Sequence, residues 1–159
     1  MRVQKLMSQP ACTCGPQDSL EQAASLMWSS DCGCLPVTSG NGIQHLEGII
    51  TDRDICMAAL FQGKPLRELK VADVMCKAVL TCRSSDDLEE VERTMQAEQV
   101  RRLPVVDEEG AVIGIISMAD LAREAARSQF GQRHEVPASA VMTTLAKIST
   151  RASEARAPS

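Results

Sequence analysis

Aromatic side chains are nearly missing from this chain: it has one Trp, two Phe and no Tyr. Single-stranded nucleic acid is held by stacking bases on aromatic rings, so a site of that kind is not expected. An excess of positive charge is missing too. The formal net charge is −4 and the isoelectric point about 5.2, so no basic field draws the chain to DNA or to a membrane surface. No apolar run comes near the roughly 20 residues that span a bilayer, and the first ten residues lack the apolar core of a signal peptide. These absences point to a cytoplasmic protein with neither nucleic acid nor membrane as partner. Histidine is limited to His45 and His134. Neither has an identifiable nucleophile or base to work with, so the chain is not expected to be an enzyme.

What is present is a globular composition. Of 159 residues, 44% are hydrophobic and 24% charged, which suits one compact domain or two small halves sharing a core. Seven cysteines is a high and odd count. In a reducing compartment they stay mostly as thiols, so a disulfide framework is a poor default.

The chain repeats itself. Displaced by 68 positions, Val3 falls on Val71, Met7 on Met75, Thr13 on Thr81 and Cys14 on Cys82. Asp18 then falls on Asp86, Leu20 on Leu88, Met27 on Met95, and Leu35-Pro36-Val37 on Leu103-Pro104-Val105. Beyond the turn-forming stretch Ser39-Gly40-Asn41-Gly42 the displacement becomes 66, so that Gly48 meets Gly114 and Asp54 meets Asp120. A register that holds throughout and changes only in a loop marks a duplication.

Each copy reads as βαββα. A short extended piece (residues 11–14 and 78–82) leads to a helix opened by Asp18 or Asp86, with Glu21 or Glu89 three positions on at capping-box spacing. Strands follow at 35–38 and 103–106, then a hairpin and second strands ending at Ile50 and Ile116. Second helices begin at Thr51 and Ser117. The predicted class is α+β, with two βαββα repeats packed as a pseudo-two-fold pair. The expected domains are 1–62, a linker over 63–70, 71–130, and a tail over 131–159 with a short helix after Pro137 and a frayed end from Arg151.

The residues Leu35-Pro36-Val37 with Gly48-Ile49-Ile50-Thr51-Asp52-Arg53-Asp54-Ile55, and Leu103-Pro104-Val105-Val106-Asp107 with Gly114-Ile115-Ile116-Ser117-Met118-Ala119-Asp120-Leu121, resemble the CBS domain family. Two such motifs in tandem resemble a stand-alone CBS pair, a Bateman module. The resemblance implies a cleft between the halves with two pseudo-symmetric sites, frequent homodimers, and binding of adenosine compounds (AMP, ADP, ATP, NAD or S-adenosylmethionine) as a regulatory signal. It implies no catalysis and no required cofactor. With no effector domain visible, the output is expected to act in trans on another protein.

Elementary chemistry supports a nucleotide reading of the repeated motif. A helix N-terminus offers N–H groups and partial positive charge to phosphate. Thr51 or Ser117 adds a hydroxyl, and Asp54 or Asp120 can accept from two ribose hydroxyls. The same spacing also serves as an ordinary N-cap. The resemblance places adenine against the opening strand of the opposite repeat. Ala78, Val79, Leu80 and Thr81 would then join Thr51 and Asp54, while Ala11, Cys12 and Thr13 would join Ser117 and Asp120. Arg101 and Arg102, whose counterparts Gly33 and Cys34 are uncharged, would favour phosphate in the second repeat.

The pairs Cys12-x-Cys14 and Cys32-x-Cys34 make a four-thiolate zinc site conceivable, although alternate strand residues do not wrap a metal and cysteine packs well in cores. Two alternatives to nucleotide sensing follow. One is a cysteine-based redox or zinc sensor on the same scaffold; the other is a protein-interaction module whose nucleotide sites no longer function.

Overall fold

The computed structural model describes residues 1–40, 44–127 and 136–150. Residues 41–43, His134 and the stretch from Arg151 onward lie outside the described residues. Among the described residues five α-helices and five strands make an α+β arrangement.

In the first repeat, α1 (Leu20–Ser29) buries Leu20, Ala23 and Met27, the stripe that a helical period demands. Strand β1 (Cys34–Thr38) is buried along its whole length and pairs antiparallel with β2 (Leu46–Thr51), with Cys34 opposite Thr51 and an irregularity between Val37 and Thr38. Helix α2 (Asp52–Gln62) follows β2 directly and stops at Gly63, whose φ of 61° is the left-handed conformation that glycine adopts without penalty.

In the second repeat, β3 (Cys82–Arg83) runs parallel to β4 (Arg102–Val106), and β5 (Val112–Ser117) completes the order β3-β4-β5. Between β3 and β4 lies α3 (Leu88–Glu98), and α4 (Met118–Arg127) follows β5. The β4–β5 turn is held by Asp107, whose Oδ1 accepts from the N–H groups of Glu109 and Ala111 at 3.0 and 2.8 Å. The tail helix α5 (Ala138–Ser149) packs on α3 and α4.

Two details differ from the sequence reading. Helix α1 is capped one residue later, by Ser19, whose Oγ accepts from Gln22 N–H while the Gln22 side chain accepts from Ser19 N–H. Asp18 instead accepts from Gly15 N–H at 2.7 Å, closing the preceding turn. Helix α3 likewise starts after Asp87, which makes no side-chain cap. The first opening piece is also less regular than its copy. It makes a single parallel bridge, Cys14 to Val37, where the second forms β3.

The chain divides into two compact units that do not coincide with the repeats. One contains Met1–Ser8, Ser84–Leu103 and Ile116–Ser159. In it Val3 N–H bonds Asp86 O, Gln4 N–H bonds Ser84 O, and Leu88 N–H bonds Met1 O, each at 3.0 Å. The other contains Gln9–Arg83 and Pro104–Ile115. In it Val71 N–H bonds Asp18 O, Ala72 N–H bonds Pro16 O, and Leu20 N–H bonds Leu69 O, each at 2.9 Å. These are the same bonds displaced by one repeat. The lead-in of each repeat is thus tied to the helix start of the other.

Candidate functional site

At the end of β2, Thr51 is still extended, with φ −117° and ψ 161°, and caps α2. Its Oγ1 accepts from Asp54 N–H at 3.2 Å. Asp54 Oδ2 in turn accepts from Thr51 N–H at 2.9 Å and from Thr51 Oγ1 at 2.6 Å. The carboxylate of Asp54 is thereby locked through one oxygen. Among the described residues its other oxygen, Oδ1, has no hydrogen-bond partner, and Asp54 is only half-buried.

The first N–H groups of α2 do not remain free. Asp52 N–H donates to Gly33 O at 3.2 Å, Arg53 N–H to Asp52 Oδ1 at 2.7 Å, and Asp54 N–H to Thr51 Oγ1. The donors that sequence reasoning offered to phosphate are thus occupied, because the acidic first turn and the hydroxyl cap satisfy them locally. What α2 presents is an acceptor, Asp54 Oδ1.

The second chain segment of this site is brought in by pairing. Ile49 N–H bonds Cys76 O and Cys76 N–H bonds Ile49 O, both at 2.9 Å, so the lead-in to residues 78–81 lies beside β2, two residues from Thr51. Gly48 permits this approach. A Cβ there would sit 2.7 Å from Met75 Sδ, closer than such atoms come, and at a tight 3.0 Å from Cys76 O. Ala78, Leu80 and Thr81 are exposed and Val79 half-buried. All belong to the same compact unit as Thr51 and Asp54.

The copy at α4 repeats the lock and differs beyond it. Ser117 N–H and Oγ donate to Asp120 Oδ2 at 2.8 and 2.6 Å, and Asp120 N–H donates to Ser117 Oγ at 3.3 Å. Met118 N–H donates to Arg101 O at 3.0 Å, as Asp52 does to Gly33 O. Arg101 is therefore fixed by its backbone at the start of α4; its side chain and that of Arg102 are exposed. Asp120, however, is 3% exposed. Its Oδ1 is held by the Arg123 guanidinium and by Ser8 Oγ. Sequence reasoning missed both partners. The Asp120–Arg123 spacing was a legible helical pair, whereas Ser8 arrives from the far end of the chain. Ala11, Cys12 and Thr13 are half-buried and belong to the other unit.

The cysteines do not gather into a metal site: among the described residues no group of three or more His, Cys, Asp or Glu is placed to hold an ion. Cys12 Sγ lies 3.4 Å from Ser30 Oγ. Cys14 and Cys34 are buried in the core and Cys32 half-buried. Burial pushes the Cys14 thiol up to about 12, with Asp18 and Cys12 adding smaller repulsions, which opposes the thiolate that a metal or oxidant needs.

The CBS domain family model matches the chain twice, over residues 3–60 and 71–127. This chain belongs to the CBS domain family. The CBS pair is 33% identical to the CBS domain-containing protein YhcV of Bacillus subtilis over 76% of this chain and 82% of that one. It is 34% identical to the inosine-5'-monophosphate dehydrogenase of Methanocaldococcus jannaschii, where the match covers 76% of this chain but 24% of the enzyme. Its fold is similar to the solved CBS domain pair of protein MJ0100 in complex with 5'-methylthioadenosine and S-adenosyl-L-methionine, with a TM-score of 0.71 and 26% identity over 80% of this chain and 98% of that one. It is likewise similar to CBSX2 in complex with AMP, at TM-score 0.69 and 28% identity, again over 80% and 98%. Among the described residues no helix is long and apolar enough to cross a membrane.

Proposed function

We propose that this CBS pair is a regulatory module that binds an adenosine compound at the Thr51–Asp54 turn. Its Asp54 Oδ1 accepts the ribose hydroxyls, and residues 78–81 flank the base. The observation that carries this reading is the Oδ1 of half-buried Asp54, which has no hydrogen-bond partner among the described residues while the other oxygen is already locked. A fixed acceptor loses little freedom on binding, and a diol can engage it with two hydrogen bonds. The adenosine ligands of MJ0100 and CBSX2 support the same class of ligand here.

Because the first N–H groups of α2 are internally bonded and Gly33 and Cys34 carry no charge, the site selects ribose and purine more than phosphate. It takes 5'-methylthioadenosine or S-adenosylmethionine as readily as AMP. Occupancy then changes the stability or assembly of the module, and a separate protein reads that change. The module signals from the cytoplasm and performs no chemistry of its own.

Thermal melting against a panel of adenosine compounds tests the reading. A saturating ligand at about 100 times its dissociation constant adds roughly 2.7 kcal/mol, a shift of several degrees. Asp54→Ala is expected to abolish that shift while leaving the unliganded melt within about 1 °C to 4 °C. No shift with any adenosine compound at millimolar concentration overturns the proposal.

A further inference from the structure

The two carboxylates that end the repeated motif are chemically identical and differently occupied. Asp54 Oδ1 has no protein partner among the described residues, whereas Asp120 Oδ1 is taken by Arg123 and Ser8. Asp120 is 3% exposed, while the Arg123 side chain is 62% exposed and reaches inward from the next turn of α4. Further along α4, Glu124 pairs with Arg127 at 3.5 Å. Displaced by 66 positions, Arg123 falls on Met57, which has no charge to offer Asp54. The repeat therefore carries a cation at one copy of this turn and a thioether at the other.

We infer that Arg123 is a built-in occupant of the second ribose acceptor, so that the chain binds an uncharged adenosine compound at Asp54 and not at Asp120. This rests on the reading of Asp54 as a ribose acceptor given above. The physical basis is competition for one oxygen. A buried carboxylate accepting a charge-assisted bond from guanidinium gives up more than a neutral diol returns. A ribose must therefore both displace Arg123 and leave it without its partner. Ser8, bonded to the same oxygen at 3.5 Å, adds a second contact to be broken. Repeat two is thus specialised against the ligand that repeat one accepts, although the motif residues are alike.

Calorimetric titration with 5'-methylthioadenosine, which carries no phosphate, reads the stoichiometry. The wild-type chain is expected to bind one ligand per chain, and Asp54→Ala none. Arg123→Met, which places the repeat-one residue in repeat two, is expected to bind two, and Arg123→Met combined with Asp54→Ala one. Arg123→Lys, which keeps the cation, stays at one; a merely structural role for Arg123 would not separate Met from Lys in this way. Arg123→Gln serves where the Met variant does not fold. Two ligands per wild-type chain, with one surviving Asp54→Ala, overturn the inference and leave the function of Asp54 intact. One ligand in both the wild type and Arg123→Met also overturns it. No binding by the wild type overturns the Asp54 reading, and no binding by Arg123→Met as well removes the inference with it.

Discussion

Asp54 and Asp120 hold the same place in two copies of one motif, three positions after a hydroxyl-bearing cap, and their locking oxygens make the same bonds at nearly the same distances. Their second oxygens are what separate them, and that separation comes from residues outside the motif. The cysteines teach a related lesson. Spacing alone made Cys12, Cys14, Cys32 and Cys34 a conceivable thiolate set; burial distributes them instead between core and half-exposed positions. Cys14, with its thiol pushed up to about 12, stays protonated through the range in which ordinary thiols ionise. In alkylation with iodoacetamide at pH 8.5, the exposed Cys56 and Cys76 are expected to react first. Cys14, Cys34 and Cys82 should be slower by about two orders of magnitude or more, because modification waits on an opening of the fold. Labelling followed by peptide mass analysis checks this. Fast reaction at Cys14 would favour the cysteine-sensor alternative.

The helices were the most legible elements, because a 3.6-residue stripe such as Leu20, Ala23 and Met27 has no other use in a chain this polar. Their starts were less so. Asp18 and Ser19 are both good caps, and the choice fell to Ser19, whose partner Gln22 closes the box reciprocally. The tail helix α5 was foreseen as an element; what it covers was not. It lies on α3, where Gln96 Nε2 donates to Thr144 Oγ1 at 2.7 Å and Lys147 Nζ to Gln96 Oε1 at 3.0 Å.

Beneath this contact Glu92 is buried, and among the described residues its Oε1 lacks a hydrogen-bond partner. Burial raises the Glu92 carboxyl above its ordinary 4.5; a bond from Thr144 pulls the other way and Glu89 adds repulsion. The fold favours the neutral acid. The stability linked to Glu92 is therefore complete below 4.5 and is lost as pH rises through the raised value. Lys147, the charged residue on α5 at this contact, is bonded to Gln96 and does not neutralise Glu92. Glu92→Gln is expected to melt about 2–4 °C higher at pH 7.5, for an unpaired charge worth on the order of 1 kcal/mol. That advantage should vanish near pH 4. Melts across this pH range decide the point, and a gap that widens on acidification contradicts it.

For the whole molecule, the duplication is visible in equivalent backbone bonds. The lead-in of each repeat bonds the helix start of the other, Val3 to Asp86 O and Val71 to Asp18 O. Each compact unit therefore holds the lead-in of one repeat with the first helix of the other. Apolar surface is left over. Trp28 on α1 is 89% exposed, and Leu60 and Phe61 on α2 are 69% and 78% exposed, on two helices that pack against each other. Large exposed side chains grouped on one unit are a surface for association. The expectation is a homodimer that covers them. Phe61→Glu should cost about 2 kcal/mol of association or more, weakening dimerisation roughly thirty-fold. Sedimentation velocity over a concentration series measures it; an unchanged profile, or a wild type monomeric at high concentration, rules this face out.

By itself the sequence determined the repeat, the α+β class, the order of elements and the two Thr/Ser-x-x-Asp turns. All of these rest on local spacing, on period and on the reach of a side chain over three residues. Only the tertiary structure decided that the first N–H of α2 is taken by Gly33 O, that Gly48 admits the Met75–Cys76 segment, and that, among the described residues, Glu92 Oε1 lies without a partner under α5. It also brings Ser8 from the far end of the chain to Asp120, leaving Asp54 open. Each of these depends on which distant groups meet in space and so compete for one hydrogen-bonding atom, and no local pattern encodes the outcome of that competition.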